Sequence, residues 1–381
     1  MKICYVTTIS TTVKAFILPV LAHLKENTDW EISVICSDDP SLQELLPEGV
    51  RYIPVKMERG ISLSGIGAMV KMIRIFRKEK FDLVQYSTPN ASLYASLAAW
   101  LARIPVRLYC QWGIAYVGFH GLKRKIFKTI EKLVCSLSTW IEPDSFGNLR
   151  FSHAEGLYPE DKGSVIWNGS ASGVNLTKFD ISNKALWRKQ IRQKLGLDDH
   201  ATVLGFVGRI TGDKGVNEMF TAFQKILQTY PHAYLMLVGS MEKAESVDEA
   251  LYDWARQESH VLFCGYTNVV EQYLSAMDIY LLPSYREGFG SVVIEAEAMG
   301  LPVIVSDIPG PTDAMVRNET GLVVPVKDAD ALAEAMEKLI QDAALRETYG
   351  AAGQTFAAGK FEQKKLAEYI LEDRKKLVNE G

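Results

Sequence analysis

A glycine-containing loop in the segment REGFGSVVIEAEAMG is flanked by two acidic residues, Glu287 and Glu295. Gly288 and Gly290 have no side chain, so a ligand can approach the backbone of this loop closely. A helix is predicted to begin near Ser291, and the unpaired N–H groups at a helix N-terminus attract anions such as phosphate. The loop therefore predicts a phosphate-binding site with carboxylates nearby.

Glu295 lies more than one turn into the predicted helix, which runs from about Ser291 to Gly300. Its carboxylate could accept two hydrogen bonds from a vicinal diol such as a ribose, and Glu287 would lie close to whatever the phosphates carry. Glu297, about 200° further around the helix, should face elsewhere. Taken alone, the two acids could equally be surface residues near a helix N-terminus.

A second loop, in TVLGFVGRITGDKG, ends a predicted strand at Gly208 and then presents Arg209 and Lys214. Two cations at the carboxyl end of a strand can neutralise a diphosphate without a metal, with Arg in bidentate contacts and Lys as a point charge. The spacing is not that of a Walker loop. A pair of cations alone also fits ordinary surface charge, but with the acidic loop it predicts a nucleotide-sugar pocket.

Short apolar runs alternating with longer amphipathic runs must position these loops. One series of predicted strands contains KICYVT, EISVIC, RYIPV, DLVQY, VRLYC and SVIW. The second contains TVLGFVG, AYLMLVG, VLFCGY, DIYLLPS, LPVIVSD and GLVVPV. Such a pattern predicts parallel sheets covered on both faces, and two series predict two doubly wound α/β domains. In open sheets of this kind, ligands lie beyond the carboxyl ends of the strands.

The domain boundary is predicted within the polar segment Asn168–Asn183. We expect an N-terminal domain over residues 1–170 and a nucleotide-sugar-binding domain over residues 171–360. The terminal helix, residues 361–381, is expected to join the first domain.

Composition limits the class of protein. The chain has 381 residues, 48% of them hydrophobic and 23% charged, which is typical of a globular protein. Its five cysteines are scattered without a CxxC pair and predict reduced core residues of a cytoplasmic protein. The start MKICYVTTIS lacks the apolar region of a signal peptide, and no uninterrupted apolar run reaches about 18 residues, so neither secretion nor a membrane-spanning helix is expected. A net charge of −4 argues against nucleic acid as a partner.

The two loops together resemble glycosyltransferase family 4, a large retaining family with the GT-B fold. REGFGSVVIEAEAMGLPVIVSDIPG contains the E-x7-E acids of that family, FVGRITGDKG is similar to its G-R-x4-K-G loop, and VIWNGSASGVNLTKFD resembles its interdomain segment. The resemblance covers nearly the whole chain and is strongest in the second half. It implies two facing Rossmann-like domains, with the acceptor mainly on the first and the donor mainly on the second.

The resemblance also implies roles for individual residues. Glu295 would bind the ribose hydroxyls, while Arg209 and Lys214 would bind the diphosphate and stabilise it as the leaving group. Glu287 would lie beside the donor sugar. The other predicted contacts to the nucleotide-sugar come from the two loops, namely Gly208, Gly288, Phe289, Gly290 and Ser291. The family transfers a glycosyl residue with retention and without an essential metal, so neither metal nor cofactor is expected.

The first half departs from the family pattern in two places. The family often has glycines in its first loop, whereas TTISTTVK offers hydroxyls that could cap the following helix or bind the ligand. In place of a histidine before a glycine after the fifth strand, YCQWGIAYVGFHG has Trp112, and His120 follows eight residues later. Either could contact the donor sugar or the acceptor, and His120 could equally be a polar loop residue.

Partners follow from a further resemblance. TTISTTVKAFILPVLAHL and IPGPTDAM are similar to enzymes of bacterial capsule, O-antigen and exopolysaccharide synthesis. This resemblance implies a UDP-linked hexose or N-acetylhexosamine donor, with GDP left open, and a polyprenyl-diphosphate-linked glycan acceptor.

Two predicted helices bear basic stripes that suit the anionic inner face of a membrane. One stripe is formed by Lys71, Arg74 and Lys78, and the second is formed by Arg124, Lys128 and Lys132 beside Phe119, Ile126 and Phe127. Each stripe also fits the solvated face of a helix that packs on a core.

Two alternative functions remain open at this point. A sugar-nucleotide epimerase or isomerase of similar architecture would act on the donor without an acceptor. A non-catalytic partner would keep the nucleotide pocket without turnover. The DAD sequence beginning at Asp328 resembles a metal-binding motif, but its place before a helix predicts an N-cap instead.

Overall fold

The computed structural model describes residues 1–57, 63–198, 200–241 and 247–380. The chain divides into two compact units. Unit 1 contains Met1–Gly173 and the segment from Gln363 onward, and unit 2 contains Val174–Glu362.

Unit 1 is built on a six-stranded parallel sheet with the strand order β3-β2-β1-β4-β5-β6. Ile3 of β1 pairs with Ile32 of β2 on one side and with Leu83 of β4 on the other. The order reverses between β1 and β4, which is the topological switch point of a doubly wound sheet. The strands are β1 Lys2–Val6, β2 Glu31–Cys36, β3 Val50–Pro54, β4 Leu83–Tyr86, β5 Val106–Gln111 and β6 Trp140–Pro143.

The sixth strand corrects one sequence prediction. The predicted strand SVIW is irregular, and the strand beside β5 is formed by WIEP instead. Ser164 donates one backbone hydrogen bond to Ile141, and Trp167 has a positive φ of 50°, which an extended strand does not allow. The apolar run therefore lies next to the sheet without joining its ladder.

The helices of unit 1 cover both faces of its sheet, as the apolar cores on the two sides require. They are α1 Ser10–Thr12, a π-helical turn Val13–Ile17, α2 Leu18–Asn27, α3 Pro40–Leu45, α4 Leu63–Glu79, α5 Pro89–Leu101, α6 Gly121–Leu137, α7 Phe146–Ala154 and, after unit 2, α15 Gln363–Glu380.

Unit 2 repeats the architecture with the strand order β12-β11-β10-β7-β8-β9, and each neighbouring pair is parallel. The six predicted strands of the second series are all present: β7 Thr202–Val207, β8 Ala233–Val238, β9 Val261–Gly265, β10 Ile279–Leu282, β11 Val303–Ser306 and β12 Gly321–Val324. The helices are α8 Lys184–Leu195, α9 Val216–Thr229, α10 Glu249–Gln257, α11 Val270–Ala276, α12 Ser291–Ala298, α13 Ala329–Gln341 and α14 Ala343–Lys360. The predicted class of two doubly wound parallel-sheet units is confirmed.

Helix α15 returns the chain to unit 1 and carries a buried cation. The guanidinium of Arg374, 2% exposed, donates to both carboxylate oxygens of Glu142 at 2.6 and 2.8 Å. It also donates to the side-chain oxygen of Gln85 at 3.0 Å. Burial raises the pKa of Glu142, and Arg374 opposes that rise. The end of the chain is thus tied into the sheet beside β4 and β6 by a bidentate ion pair.

Candidate functional site

The two predicted loops meet at the switch point of unit 2. One loop follows β7 and the other follows β10, and these strands are neighbours in the sheet. The backbone N–H of Tyr285 donates to the Asp213 carbonyl at 2.9 Å. Gly215 has a φ of +72°, and a Cβ there would lie 2.1 Å from the Pro283 carbonyl oxygen. Glycine is therefore required where the loops touch.

Lys214 and Glu287 form an ion pair between these loops. Their side chains are 17% and 14% exposed, and the ammonium nitrogen lies 2.5 Å from Glu287 Oε1. The hydroxyl of Ser284 donates to the same oxygen at 2.8 Å. The cation is consequently held in one position at the carboxyl edge of the sheet before any ligand binds, which lowers the ordering cost of binding an anion.

A second ion pair supports the first. Arg286 lies 3.1 Å from Asp213 Oδ2, and the Thr211 hydroxyl donates to Asp213 Oδ1 at 2.6 Å. Burial opposes ionisation of Asp213, yet the Thr211 hydrogen bond and the Arg286 charge lower its pKa. This second pair was not predicted from the sequence, although Asp213 and Arg286 adjoin Lys214 and Glu287. Arg209, the other predicted cation, has an exposed side chain after β7.

The glycine loop turns tightly into α12. Gly290 precedes the helix with a φ of +85° and provides no side-chain cap, so no capping side chain competes with a ligand for the first-turn N–H groups. One of these groups, the Val293 N–H, donates to the Gly290 carbonyl at 2.8 Å. Phe289 is 2% exposed and packs against Phe361, with ring centroids 5.2 Å apart. A Cβ at Gly310 would lie 2.2 Å from the Gly288 carbonyl oxygen, so only glycine at position 310 allows the glycine loop to pack this closely. The geometry suits an anion at this helix end.

Glu295 and Glu297 have different surroundings, as their spacing predicts. Glu295 is partly accessible, and its carboxylate has no hydrogen-bond partner among the residues that the structure describes. Burial raises its pKa to about 7, with Lys178 lowering it and Glu271 adding to the rise. Glu297 is fully buried, and its Cγ lies 3.1 Å from where a Cβ at Gly353 would be. Both carboxylate oxygens of Glu297 also lack a hydrogen-bond partner within the described ranges, but they are buried, so Glu295 is the carboxylate that a ligand can reach.

Tyr285 adds a contact that sequence reasoning did not anticipate. Its hydroxyl donates to Glu218 of α9, with distances of 2.7 and 2.8 Å to the two carboxylate oxygens. The ammonium of Lys327, which follows β12 with a φ of +63°, lies 4.8 Å from the centre of the Tyr285 ring. The phenol is thus fixed on both sides beside Glu287.

The candidates from the first half of the sequence lie in unit 1. Trp112, after β5, packs against Phe16 with ring centroids 5.7 Å apart and lines a cavity of about 30 Å³. His120 is exposed at the N-cap position of α6, where its side chain makes no capping hydrogen bond. The contacts of Trp112 and His120 with the donor sugar or the acceptor remain predictions.

The hydroxyls of the first loop do not cap the helix that follows. The N-cap of α1 is Ile9, which makes no side-chain hydrogen bond, so that interpretation is wrong. Thr8 instead contacts the Thr88 hydroxyl at 2.8 Å and accepts from the N–H of Ala91 in α5 at 3.3 Å. Thr8 thus contacts the loop after β4 because β1 and β4 are adjacent, whereas the Ser10 hydroxyl donates to Asp39 after β2 at 2.5 Å.

Asp328 is an N-cap, as predicted, and its carboxylate accepts from the Ala331 N–H at 2.9 Å. The other acid of the DAD sequence, Asp330, pairs with Lys225 of α9. Within residues 1–57, 63–198, 200–241 and 247–380, no group of three acidic, histidine or cysteine side chains could hold a metal ion.

The face of α6 combines charge with exposed apolar side chains. Leu122, Ile126 and Leu133 are 74%, 48% and 41% exposed. Arg124 and Lys128 pair with Glu155 at 3.5 and 2.7 Å, so two members of the predicted basic stripe are partly neutralised. The lysines exposed beside the apolar residues are Lys123, Lys125 and Lys132. No helix in the described part of the chain is both long and apolar enough to cross a membrane.

Two protein-family models match the chain, one in each unit. The family model described as glycosyl transferases group 1 matches residues 188–356, and the one described as glycosyl transferase 4-like matches residues 2–142. The capsular polysaccharide biosynthesis glycosyltransferase CapM of Staphylococcus aureus is 33% identical over 370 residues, covering 97% of this chain and 95% of CapM.

A second relative is named for its acceptor. The Escherichia coli UDP-Gal:alpha-D-GlcNAc-diphosphoundecaprenol alpha-1,3-galactosyltransferase is 28% identical, with 85% of this chain and 83% of that protein covered. Among solved structures, Anabaena Alr3699/HepE in complex with UDP has a TM-score of 0.78 at 20% identity, covering 99% of this chain and all of that one. The chain is a glycosyltransferase and belongs to glycosyltransferase family 4, with the GT-B fold.

Proposed function

We propose that this glycosyltransferase moves a hexose or N-acetylhexosamine from a UDP-sugar to a hydroxyl of a lipid-linked cell-surface glycan, with retention and without an essential metal. The observation that carries the proposal is the position of Lys214. This cation is fixed at the switch point of unit 2, where the loop with Arg209 adjoins the glycine loop and the N-terminus of α12.

The reaction breaks the bond between the sugar and a diphosphate, so negative charge develops on the leaving group. Lys214, Arg209 and the N-terminus of α12 would stabilise that charge, and preorganised charges of this kind are usually the largest single contribution to catalysis. Since Lys214 and Ser284 both engage Glu287 Oε1, we assign Glu287 to positioning Lys214 beside the donor sugar. The backbone of Gly208, Gly288, Gly290 and Ser291 would contact the donor.

Glu295 would accept hydrogen bonds from the ribose diol. Its oxygens have no competing donor among the described residues, and it projects from the same helix whose N-terminus would hold the phosphates. One short helix would thus bind two parts of the nucleotide.

The names of two relatives support a lipid-linked acceptor. The Escherichia coli relative is named for a diphosphoundecaprenol-linked sugar. A Campylobacter jejuni relative, 27% identical over 91% of this chain, is named for N,N'-diacetylbacillosaminyl-diphospho-undecaprenol. Donors differ among relatives, because a Corynebacterium glutamicum relative is named as GDP-mannose-dependent. The donor base is therefore the first property to measure.

A thermal-shift panel of UDP, GDP, ADP and dTDP, each with and without EDTA, tests the donor site. A nucleotide at 100 times its dissociation constant should add about 2.7 kcal/mol of stability. We expect a shift that is selective for UDP and insensitive to EDTA. No shift with any nucleotide in the millimolar range would mean that the loops after β7 and β10 do not form the donor site.

Product analysis separates transfer from epimerisation. A putative UDP-N-acetylglucosamine 2-epimerase from Listeria monocytogenes shares the fold, with a TM-score of 0.64 at 15% identity. An epimerase converts the UDP-sugar without an acceptor. We expect no change in the sugar until a polyprenyl-diphosphate-linked glycan is added, and then release of UDP with an α-linked product if the donor is α-linked.

Replacing Glu295 with glutamine should weaken UDP-sugar binding by roughly 10- to 100-fold, since hydrogen bonds to a charged group are worth about 1.5–3 kcal/mol. Because the pKa of Glu295 is raised to about 7, the wild-type carboxylate is protonated below that pH and loses acceptor capacity. Affinity should therefore fall from pH 8 to pH 6 in the wild type, and the variant should show a flatter profile. Calorimetric titration with an intact UDP-sugar measures the affinity of the wild type and of the variant at each pH. The UDP-sugar itself does not change its protonation state in this range.

The control for that variant is Glu297→Gln, which changes a fully buried neighbour on the same helix. Its stability can change, but the pH dependence of donor binding should remain that of the wild type. An unchanged affinity in Glu295→Gln would count against the ribose contact.

A lipid-linked acceptor would place part of unit 1 at a membrane, and we propose the exposed face of α6 as the contact. Leu122 and Ile126 would enter the interface, while Lys125 and Lys132 would attract anionic headgroups at about 1 kcal/mol each. Helix α4 offers additional charge through Arg74 and Lys78.

Leu122→Glu/Ile126→Glu should reduce binding to vesicles containing anionic lipid by at least roughly tenfold, because two apolar contacts are lost and two negative charges are added. Sedimentation with anionic and neutral vesicles measures the effect. The control is Leu186→Glu on α8, an exposed leucine in unit 2, which should bind as the wild type does. Equal binding of all three proteins would rule out the α6 face.

A further inference from the structure

A second cavity lies in unit 2 at the sheet edge opposite the donor loops. Its volume is about 230 Å³, and its wall includes Asp278 and Pro302. These residues directly precede β10 and β11, so the cavity is at the amino ends of these parallel strands. Lys214 and Glu287 are at the carboxyl ends, on the far side of the sheet. The cavity is therefore separate from the proposed nucleotide site.

Three cationic side chains line this cavity and are held by helix ends. Lys184 donates to the Gly300 carbonyl, just beyond α12, at 3.0 Å. Arg188 donates to the Met277 carbonyl, just beyond α11, at 3.0 Å. Arg346 of α14 donates to a carbonyl in the last turn of α13 at 2.8 Å. The cations are thus fixed around the cavity and use only part of their N–H donors.

Two acids line the cavity, Asp278 and the exposed Glu347, against three cations, and Asp278 is shared with a fourth cation, Arg192. Asp278 already accepts from Arg188 at 2.6 Å, from Arg192 at 2.7 Å and from the Val203 N–H at 2.7 Å. Lys184 forms no ion pair with any residue in the described ranges. Burial lowers its pKa to about 8, with Arg188 contributing to the fall and Asp278 opposing it. A partly buried cation without a counter-ion is costly, and an incoming anion would supply one.

We propose that this cavity binds a phosphate group, either as inorganic phosphate or as a small phosphate monoester, through Lys184, Arg188 and Arg346. Phosphate offers several acceptor oxygens to donors that converge from α8 and α14, and guanidinium groups suit it geometrically. The wall also contains Leu301 and Pro302, which could contact the organic part of a monoester. The proposal does not depend on the proposed donor or acceptor.

Site-specific acylation of lysines in the intact protein tests this site. At pH 8, a partly deprotonated Lys184 should react readily with a small acylating reagent, and mass spectrometry reports each lysine separately. Phosphate at ten times its dissociation constant should slow acylation of Lys184 roughly tenfold. Lys189, an exposed lysine on the same helix, is the internal control and should react at an unchanged rate. Potassium chloride at matched ionic strength should protect neither lysine.

Glycerol phosphate is the second probe. If it protects Lys184 at a lower concentration than inorganic phosphate does, the site favours a monoester, with Leu301 and Pro302 in contact with its organic part. Protection should persist in Lys214→Ala, which separates this site from the donor site. A thermal shift caused by phosphate in the Lys214→Ala background should be lost on adding Lys184→Gln, which removes the charge, and kept on adding Lys184→Arg, which retains it. Lack of saturable protection at Lys184, or equal protection of Lys189, would overturn the proposal.

Discussion

Lys214→Ala is expected to slow glycosyl transfer by roughly 10²–10³-fold, comparable with the loss of one preorganised transition-state contact. The ammonium group is fixed 2.5 Å from Glu287 before the donor binds, so the substitution removes a charge whose position requires no reorganisation during the reaction. The loss should appear in kcat, because the charge on the diphosphate increases as its bond to the sugar breaks. Steady-state kinetics with saturating UDP-sugar measures it.

Two further variants separate catalysis from architecture. Lys214→Arg retains a positive charge and should recover part of the rate. Glu287→Gln leaves the lysine without its ion pair, and its effect should not add to that of Lys214→Ala if Glu287 acts by positioning the lysine. A normal rate in Lys214→Ala would remove the leaving-group role from this residue. Arg209→Ala tests the other predicted cation in the same assay, with a similar loss expected.

Arg374→Met is expected to destabilise unit 1 by about 3–5 kcal/mol, since removing one partner of a buried ion pair leaves the other uncompensated. The remaining partner is Glu142, 4% exposed at the edge of the sheet. Because a chain with two units need not unfold in one step, amide hydrogen exchange in β4, β5 and β6 is the appropriate measurement. Protection of these strands should fall while that of β7 to β10 changes little.

Lys375→Met, at the exposed position next to Arg374, is the matched control and should leave exchange unchanged. The double variant Arg374→Met/Glu142→Met removes both charges and replaces them with apolar volume. It should recover most of the lost protection, as replacement of buried ion pairs by hydrophobic residues often does. Equal exchange in Arg374→Met and the wild type would contradict a stabilising role for the pair.

The sequence predicted unit 2 better than unit 1 for a physical reason. Its strands are uninterrupted apolar runs, and the residues of its two loops are close in sequence to those strands. In unit 1, β6 contains Glu142, whose buried charge is compensated by Arg374 more than 200 positions later. Local pattern cannot reveal such a partner, so the sequence does not indicate a strand at WIEP and favours the more apolar SVIW.

The candidate site shows the same limit. Spacing along the sequence places Arg209, Lys214 and Glu287 after strand ends and Glu295 within the helix that follows, so these residues could be predicted as candidates. The Lys214–Glu287 ion pair could not be predicted, because it depends on the adjacency of β7 and β10 in the sheet, and the residues are 73 positions apart.

The route of the chain through the two units has a consequence for synthesis on the ribosome. Unit 2 is one continuous segment, whereas unit 1 needs α15, which is translated after all of unit 2. Domains generally fold as units while the chain emerges. We therefore expect unit 2 to complete its core first, although unit 1 begins to emerge earlier. Until α15 arrives, the nascent sheet would expose the site of Arg374, with Glu142 unpaired, to solvent and to chaperones.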